Sequence, residues 1–99
     1  MSAPVARAGA SGIAVLLAAV CAAPTALEAA GVLNGKRATS YPGNPLPSAT
    51  FVEERVVEDG NIITSRGPGT TMAFALKLVE RLSGAEVAKT TADKLLYVP

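Results

Sequence analysis

A single side chain in this sequence is suited to act as a soft nucleophile, Cys21. It lies in an Ala-rich apolar run, residues 13–23 (IAVLLAAVCAA), and Pro24-Thr25 follows at once. An apolar strand followed by a proline in a first helical turn describes a strand, a tight turn and a helix, with the cysteine in the turn. Such a junction exposes the side chain at the carboxyl end of a sheet, and the N–H groups that open the helix favour negative charge. Both effects favour the thiolate, the form of cysteine that adds to a carbonyl. Composition removes other chemistries. The 99 residues include no His, which rules out His-dependent catalysis and takes away the usual metal ligand, so neither a metal nor a cofactor is expected. One Cys cannot form an internal disulfide, and an intracellular, cytoplasmic setting is expected. Nine basic and eight acidic residues leave a net charge of +1, which argues for neither nucleic acid nor an anionic membrane as partner. Two Tyr, two Phe and no Trp offer few stacking platforms.

The elements that must hold Cys21 are read outward from it. Residues 13–20 are continuously apolar, as in a central parallel strand covered on both faces. The same run has the outline of a secretory signal peptide. Eleven residues are too few to span a bilayer, and Arg7 alone makes a thin basic region before them. A helix is expected over residues 24–32, stopped by Gly31, and a short strand over residues 36–40 (KRATS), ended by Pro42. The segment GNPLP then turns the backbone. Two β-branched runs, residues 50–57 and 61–65, flank Glu58-Asp59-Gly60, which predicts a hairpin, with a bulge or twist where alternation in the first arm is poor. SRGPGT links this hairpin to a helix over residues 72–82, with Thr70 or Thr71 as its N-cap. Met72, Ala75, Leu76, Val79 and Leu82 form its apolar stripe, Phe74 and Leu78 widen it, and Lys77, Glu80 and Arg81 mark the wet side. A short helix over residues 85–89 and a last strand over residues 95–98 complete the expected order. The charges of VEERVVED (52–59) are read as a solvated strand face.

The segments AAVCAAPTALEAAGVLNGKRATSYP and VEDGNIITSRGPGTTMAFALKLVERLSG resemble the second half of the ThiJ/PfpI (DJ-1) superfamily. The cysteine elbow, the hairpin turn, the SRGPGT link and the closing helix stand in the family's order. The resemblance implies a flavodoxin-like, doubly wound α/β sandwich of nearly twice this length, usually a homodimer. Residues 13–99 are therefore expected to form a partial domain, with residues 1–12 unassigned. It also implies that the apolar run is the strand before the elbow rather than a removable leader.

In function, the resemblance implies a thiol at Cys21 that is readily oxidised and that acts on methylglyoxal and related glycated adducts, as a glyoxalase III or deglycase. The oxyanion formed when a thiolate adds to an aldehyde needs N–H donors, and Ala22 can supply one. Two of the family's partners are missing. The acid that hydrogen-bonds the thiol belongs to the first half, and the family's frequent histidine is replaced by Tyr41, whose phenol is a poor base at neutral pH. Tyr41 is either a pocket residue or a packing residue. Arg66 either binds an anionic group or makes a structural ion pair or backbone cap. Pro68 and Gly69 are expected to border the cysteine pocket as well as to shape the turn. The expected function is a weak, cysteine-dependent activity on a small reactive carbonyl; the alternative is a redox-sensing or chaperone-like protein in which oxidation of Cys21 is the event. Self-association or a homodimer is the expected assembly.

Overall fold

The computed structural model describes residues 15–98. The elements run β1 (Leu17–Val20), α1 (Pro24–Ala29), β2 (Arg37–Ala38), β3 (Thr50–Phe51), β4 (Val56–Asp59), β5 (Ile62–Ser65), α2 (Thr71–Ser83) and α3 (Ala85–Lys94). A turn of 3-10 helix, Pro68–Thr70, leads into α2.

β1, β5 and β4 form a mixed sheet in that order, β1 parallel and β4 antiparallel to β5. The hairpin is as read from the sequence: Gly60, at φ +61°, accepts the left-handed backbone that a two-residue turn needs. Its pairing is regular from Val56↔Ser65 to Asp59↔Ile62, without the bulge that the poor alternation suggested. The irregularity lies just upstream. Residues 50–57 are not one arm, because Thr50–Phe51 pairs in parallel with β2 in a separate two-stranded sheet and the chain bends before Val56. Strand β2 and the residue after it are laced to the hairpin by its side chains: Arg37 N–H donates to the Asp59 carboxylate at 2.8 Å, and Thr39 N–H to Thr64 Oγ1 at 2.9 Å.

β5 is the strand buried along its whole length, not the one before the cysteine. Among the described residues β1 pairs on one side only and is half-covered, whereas the sequence predicted a central strand. Continuous apolarity reports what a strand can bury; occupancy of both flanks depends on other segments. Of the expected strand over 13–20, residues 13–14 lie outside the described residues, as do residues 1–12 and Arg7. The core gathers Leu33, Ala38, Leu46 and Ile62, with Leu17, Leu27 and Ala49 packed against it.

The first helix starts with Pro24 in its first turn and is shorter than expected, ending at Ala29. Gly31 N–H bonds Glu28 O and Val32 N–H bonds Leu27 O, with Gly31 at φ +79°. That paired left-handed stop satisfies the last carbonyls three residues before the expected end. The same device ends α3 and overturns the last strand. Leu96 N–H bonds Asp93 O and Tyr97 N–H bonds Ala92 O, with Leu96 at φ +57°. The helix therefore runs ten residues, beyond the expected Lys89, and residues 95–98 form its cap rather than a β-strand. Leu95, Leu96 and Val98 are exposed.

The long helix covers one residue more at each end than its stripe predicted. Met72 and Leu82 of that stripe are exposed, and no residue of α2 is fully buried, because the sheet covers one side only. Lys77 and Arg81 turn back onto Glu58 of β4 instead of pointing away. Thr70 occupies the N-cap position without capping: its hydroxyl accepts from Gly67 N–H at 3.0 Å and meets Ser65 Oγ at 2.6 Å. No helix among the described residues is long and apolar enough to cross a membrane.

Candidate functional site

Cys21 stands between β1 and α1 with φ +67°, a left-handed backbone rarely taken by a side-chain-bearing residue. Such a conformation costs about 1–2 kcal/mol and persists when its surroundings hold it. Two hydrogen bonds do so here. Cys21 N–H donates to Ser65 O at 3.1 Å, and Tyr41 N–H donates to Cys21 O at 2.9 Å. The carboxyl ends of β1 and β5 and the segment after β2 thus meet at the cysteine. The thiol is half-buried.

Ala22 is exposed, and its N–H has no acceptor among the described residues. Its carbonyl is occupied by both the N–H and the hydroxyl of Thr25, at 3.1 and 2.6 Å, which fixes the first turn of α1. The Ala22 N–H itself is held in place by the Tyr41 N–H bond to Cys21 O, the carbonyl of the same peptide, and among the described residues it is open to a ligand oxygen. Tyr41 is 48% exposed, and its ring lies against Gly67. A Cβ on Gly67 would come within 3.1 Å of Tyr41 Cδ1, so it is space rather than backbone geometry that calls for glycine there. The sequence reading passed over Gly67, whose contribution is the absence of a side chain.

Arg66 projects away from β5 toward Ser40, to whose carbonyl Nε donates at 3.0 Å, and its guanidinium carbon stands 5.7 Å from the centroid of the Phe51 ring. Pro68 and Gly69 are exposed in the 3-10 turn. A cavity of about 910 Å³ lies between α2, α3 and the strand linker, and one of about 430 Å³ lies beside Pro45 and Pro47; neither is lined by Cys21, Tyr41, Arg66, Pro68 or Gly69. The carboxylate nearest in sequence to the elbow, Glu28, is engaged by the backbone N–H and hydroxyl of Ser48. Among the described residues no three His, Cys, Asp or Glu side chains converge as a metal site.

The arrangement is a thiol on a strained strand-to-helix turn, beside an N–H that has no acceptor among the described residues. Known proteins carry the same stretch of chain. Protein DJ-1alpha of Drosophila melanogaster is 54% identical over 86 residues, covering 83% of this chain and 40% of that protein. The Parkinson disease protein 7 homolog of Danio rerio is 51% identical over 86 residues, covering 82% and 46%. The crystal structure of Drosophila melanogaster DJ-1beta superposes with a TM-score of 0.80 at 48% identity, over 85% of this chain and 47% of that one. The chain thus spans about half the length of the relatives it matches, and its mixed sheet and helices are part of their flavodoxin-like α/β fold. The sequence model of the DJ-1/PfpI family matches residues 9–81, the elbow, hairpin and most of α2 included, and with these likenesses it establishes that the chain belongs to the DJ-1/PfpI family.

Proposed function

We propose that Cys21 is the nucleophile of a weak activity on small reactive carbonyls, methylglyoxal and glycated adducts among them. The observation that carries this reading is the strained turn at Cys21 with the Ala22 N–H beside it, which has no acceptor among the described residues. In methylglyoxal, Cys21 Sγ adds to the aldehyde carbon and the new oxyanion accepts the Ala22 N–H. A proton shift within the adduct converts the aldehyde carbon to a thioester while the neighbouring ketone becomes an alcohol. Water then releases lactate and regenerates the thiol, so no external oxidant or reductant is required. The proton shift needs a base. No carboxylate engages Cys21 among the described residues, and the Tyr41 hydroxyl is the polar group whose backbone is tied to the elbow. Turnover is accordingly slow. A relative in Caenorhabditis elegans, 38% identical over 74 residues, bears the name glutathione-independent glyoxalase, which supports this class of chemistry. The chain's expected assembly is a homodimer or larger self-association.

Lactate formation from methylglyoxal, measured with Cys21→Ser as control, tests the proposal. Slow, Cys21-dependent production close to background is expected; no difference between the two proteins overturns it. A second reading is supported by the Toxoplasma gondii DJ-1 structure, solved in an oxidized form and 40% identical over 85% of this chain. In that reading peroxide oxidises the half-exposed thiol and no turnover follows. Cys21 sulfinic acid formed by peroxide, in a chain that makes no lactate, would favour it.

A further inference from the structure

We propose that Arg66 selects the charge of what reaches Cys21, favouring 2-oxoaldehydes that carry a carboxylate elsewhere in the molecule over neutral ones. The inference rests on the reading of Cys21 as the nucleophile and adds the substrate class. Arg66 directly follows Ser65, whose carbonyl accepts the Cys21 N–H. Its Nε is committed to Ser40 O, and its plane is steadied by the Phe51 ring. These contacts orient the guanidinium while using one of its five N–H donors. The ion pairs among the described residues involve Lys77, Arg81 and Lys89, and none neutralises Arg66.

The Ser40 carbonyl that holds Nε and the Tyr41 N–H that donates to Cys21 O belong to one peptide group. Arg66 Nε and Cys21 O therefore stand on opposite edges of a single peptide unit, within roughly 8 Å of each other by ordinary bond and hydrogen-bond lengths. A fixed positive charge at that range, inside the screening length of dilute buffer, raises the local concentration of a small anion several-fold. A merely structural Arg66 would hold the Ser40–Tyr41 peptide and affect charged and neutral reagents alike, so discrimination by charge separates the two roles.

With one Cys in the sequence, alkylation followed by mass reports Cys21 alone. Iodoacetate and iodoacetamide form the same Sγ–carbon bond with loss of iodide and differ in charge. The iodoacetate-to-iodoacetamide rate ratio should be several-fold higher in the folded chain than in the chain unfolded in urea. Arg66→Met should lower that ratio about three-fold or more, Arg66→Lys should retain most of it, and high salt should shrink it in the wild type. A folded wild-type ratio no higher than the unfolded one overturns the proposal without any variant. So does an Arg66→Met chain in which both rates change equally or the ratio stays put. Alkylation requires no turnover, so absence of lactate from methylglyoxal refutes the proposed activity and not this charge selection.

Discussion

Cys21 pays for its position in backbone strain. Glycine adopts the same left-handed backbone without a Cβ clash, so Cys21→Gly should be more stable than Cys21→Ala by roughly 1 kcal/mol in urea denaturation. Equal stabilities would mean that the elbow relaxes once the thiol is gone. A second residue pair gives opposite signs from one shape change. Thr64 Oγ1 accepts the buried Thr39 N–H, so Thr64→Val strands that donor and should cost about 1–3 kcal/mol. Thr39 is itself buried and its hydroxyl has no partner among the described residues, so Thr39→Val should be neutral or stabilising by up to about 1 kcal/mol. Denaturant midpoints for both variants decide the matter, and loss of stability in Thr39→Val would reveal a partner for that hydroxyl.

At the scale of elements, two helices end in the same hydrogen-bonded stop with different residues in the left-handed position. Gly31 suits it, and nothing lies within 4 Å of where its Cβ would stand, so Gly31→Ala tests the backbone term alone and should destabilise by about 1 kcal/mol. Leu96 does not suit it and is 86% exposed, so little packing is lost in Leu96→Gly, which should stabilise the chain by up to about 1 kcal/mol. Thermal melts followed by circular dichroism read both, and a destabilised Leu96→Gly would mean that this side chain is covered in solution. The three-residue shortening of α1 against its predicted end has the same origin, since the stop at Gly31 takes up the last free carbonyls.

At the scale of the molecule, the buried hydrophobic set among the described residues is small: Ala19, Leu33, Ala38, Leu46, Val57, Ile62 and Ile63, with nothing from α2 or α3. The described residues form a slab of 38 × 37 × 20 Å, and their radius of gyration of 14.0 Å exceeds the roughly 12 Å of a compact domain of that many residues. Exposed Val87, Leu95 and Val98, together with the flank of β1 that pairs with no strand among the described residues, give apolar and strand-edge surface a reason to associate. Concentration-dependent sizing chromatography and binding of the hydrophobic dye ANS are expected; a monomer with a sharp cooperative melt and no dye binding would contradict this. Electrostatics ties the slab together at Lys77, whose pKa is raised above its ordinary 10.5, chiefly by the hydrogen bond to Glu80 with Glu58 adding to it. A raised lysine contributes stability in full below 10.5 that disappears as pH climbs through the folded-state value. The cluster is partly exposed, so Lys77→Met should cost less than about 1 kcal/mol at pH 7 and flatten the loss of stability at alkaline pH.

Where local chemistry decides structure, the sequence alone was enough. A β-branched run, Asp-Gly and another β-branched run have one low-energy arrangement, and an apolar run followed by Pro24 puts Cys21 in a turn whatever surrounds it. The family, too, was legible in motifs. Tertiary structure decided everything that depends on distant partners. Among the described residues it placed β1 at a flank and β5 at the centre, split residues 50–57 between two sheets, and turned Lys77 and Arg81 back onto Glu58. Periodicity could not anticipate these outcomes, because it records which face of an element is apolar and not what that face will meet. It likewise read Leu95 to Val98 as β-forming, whereas carbonyls left free at the end of α3 drew Leu96 and Tyr97 into a cap. Arg66 shows the division most plainly: its charge was visible from the start, but only the tertiary structure links its side chain, through the Ser40–Tyr41 peptide, to the Cys21 backbone.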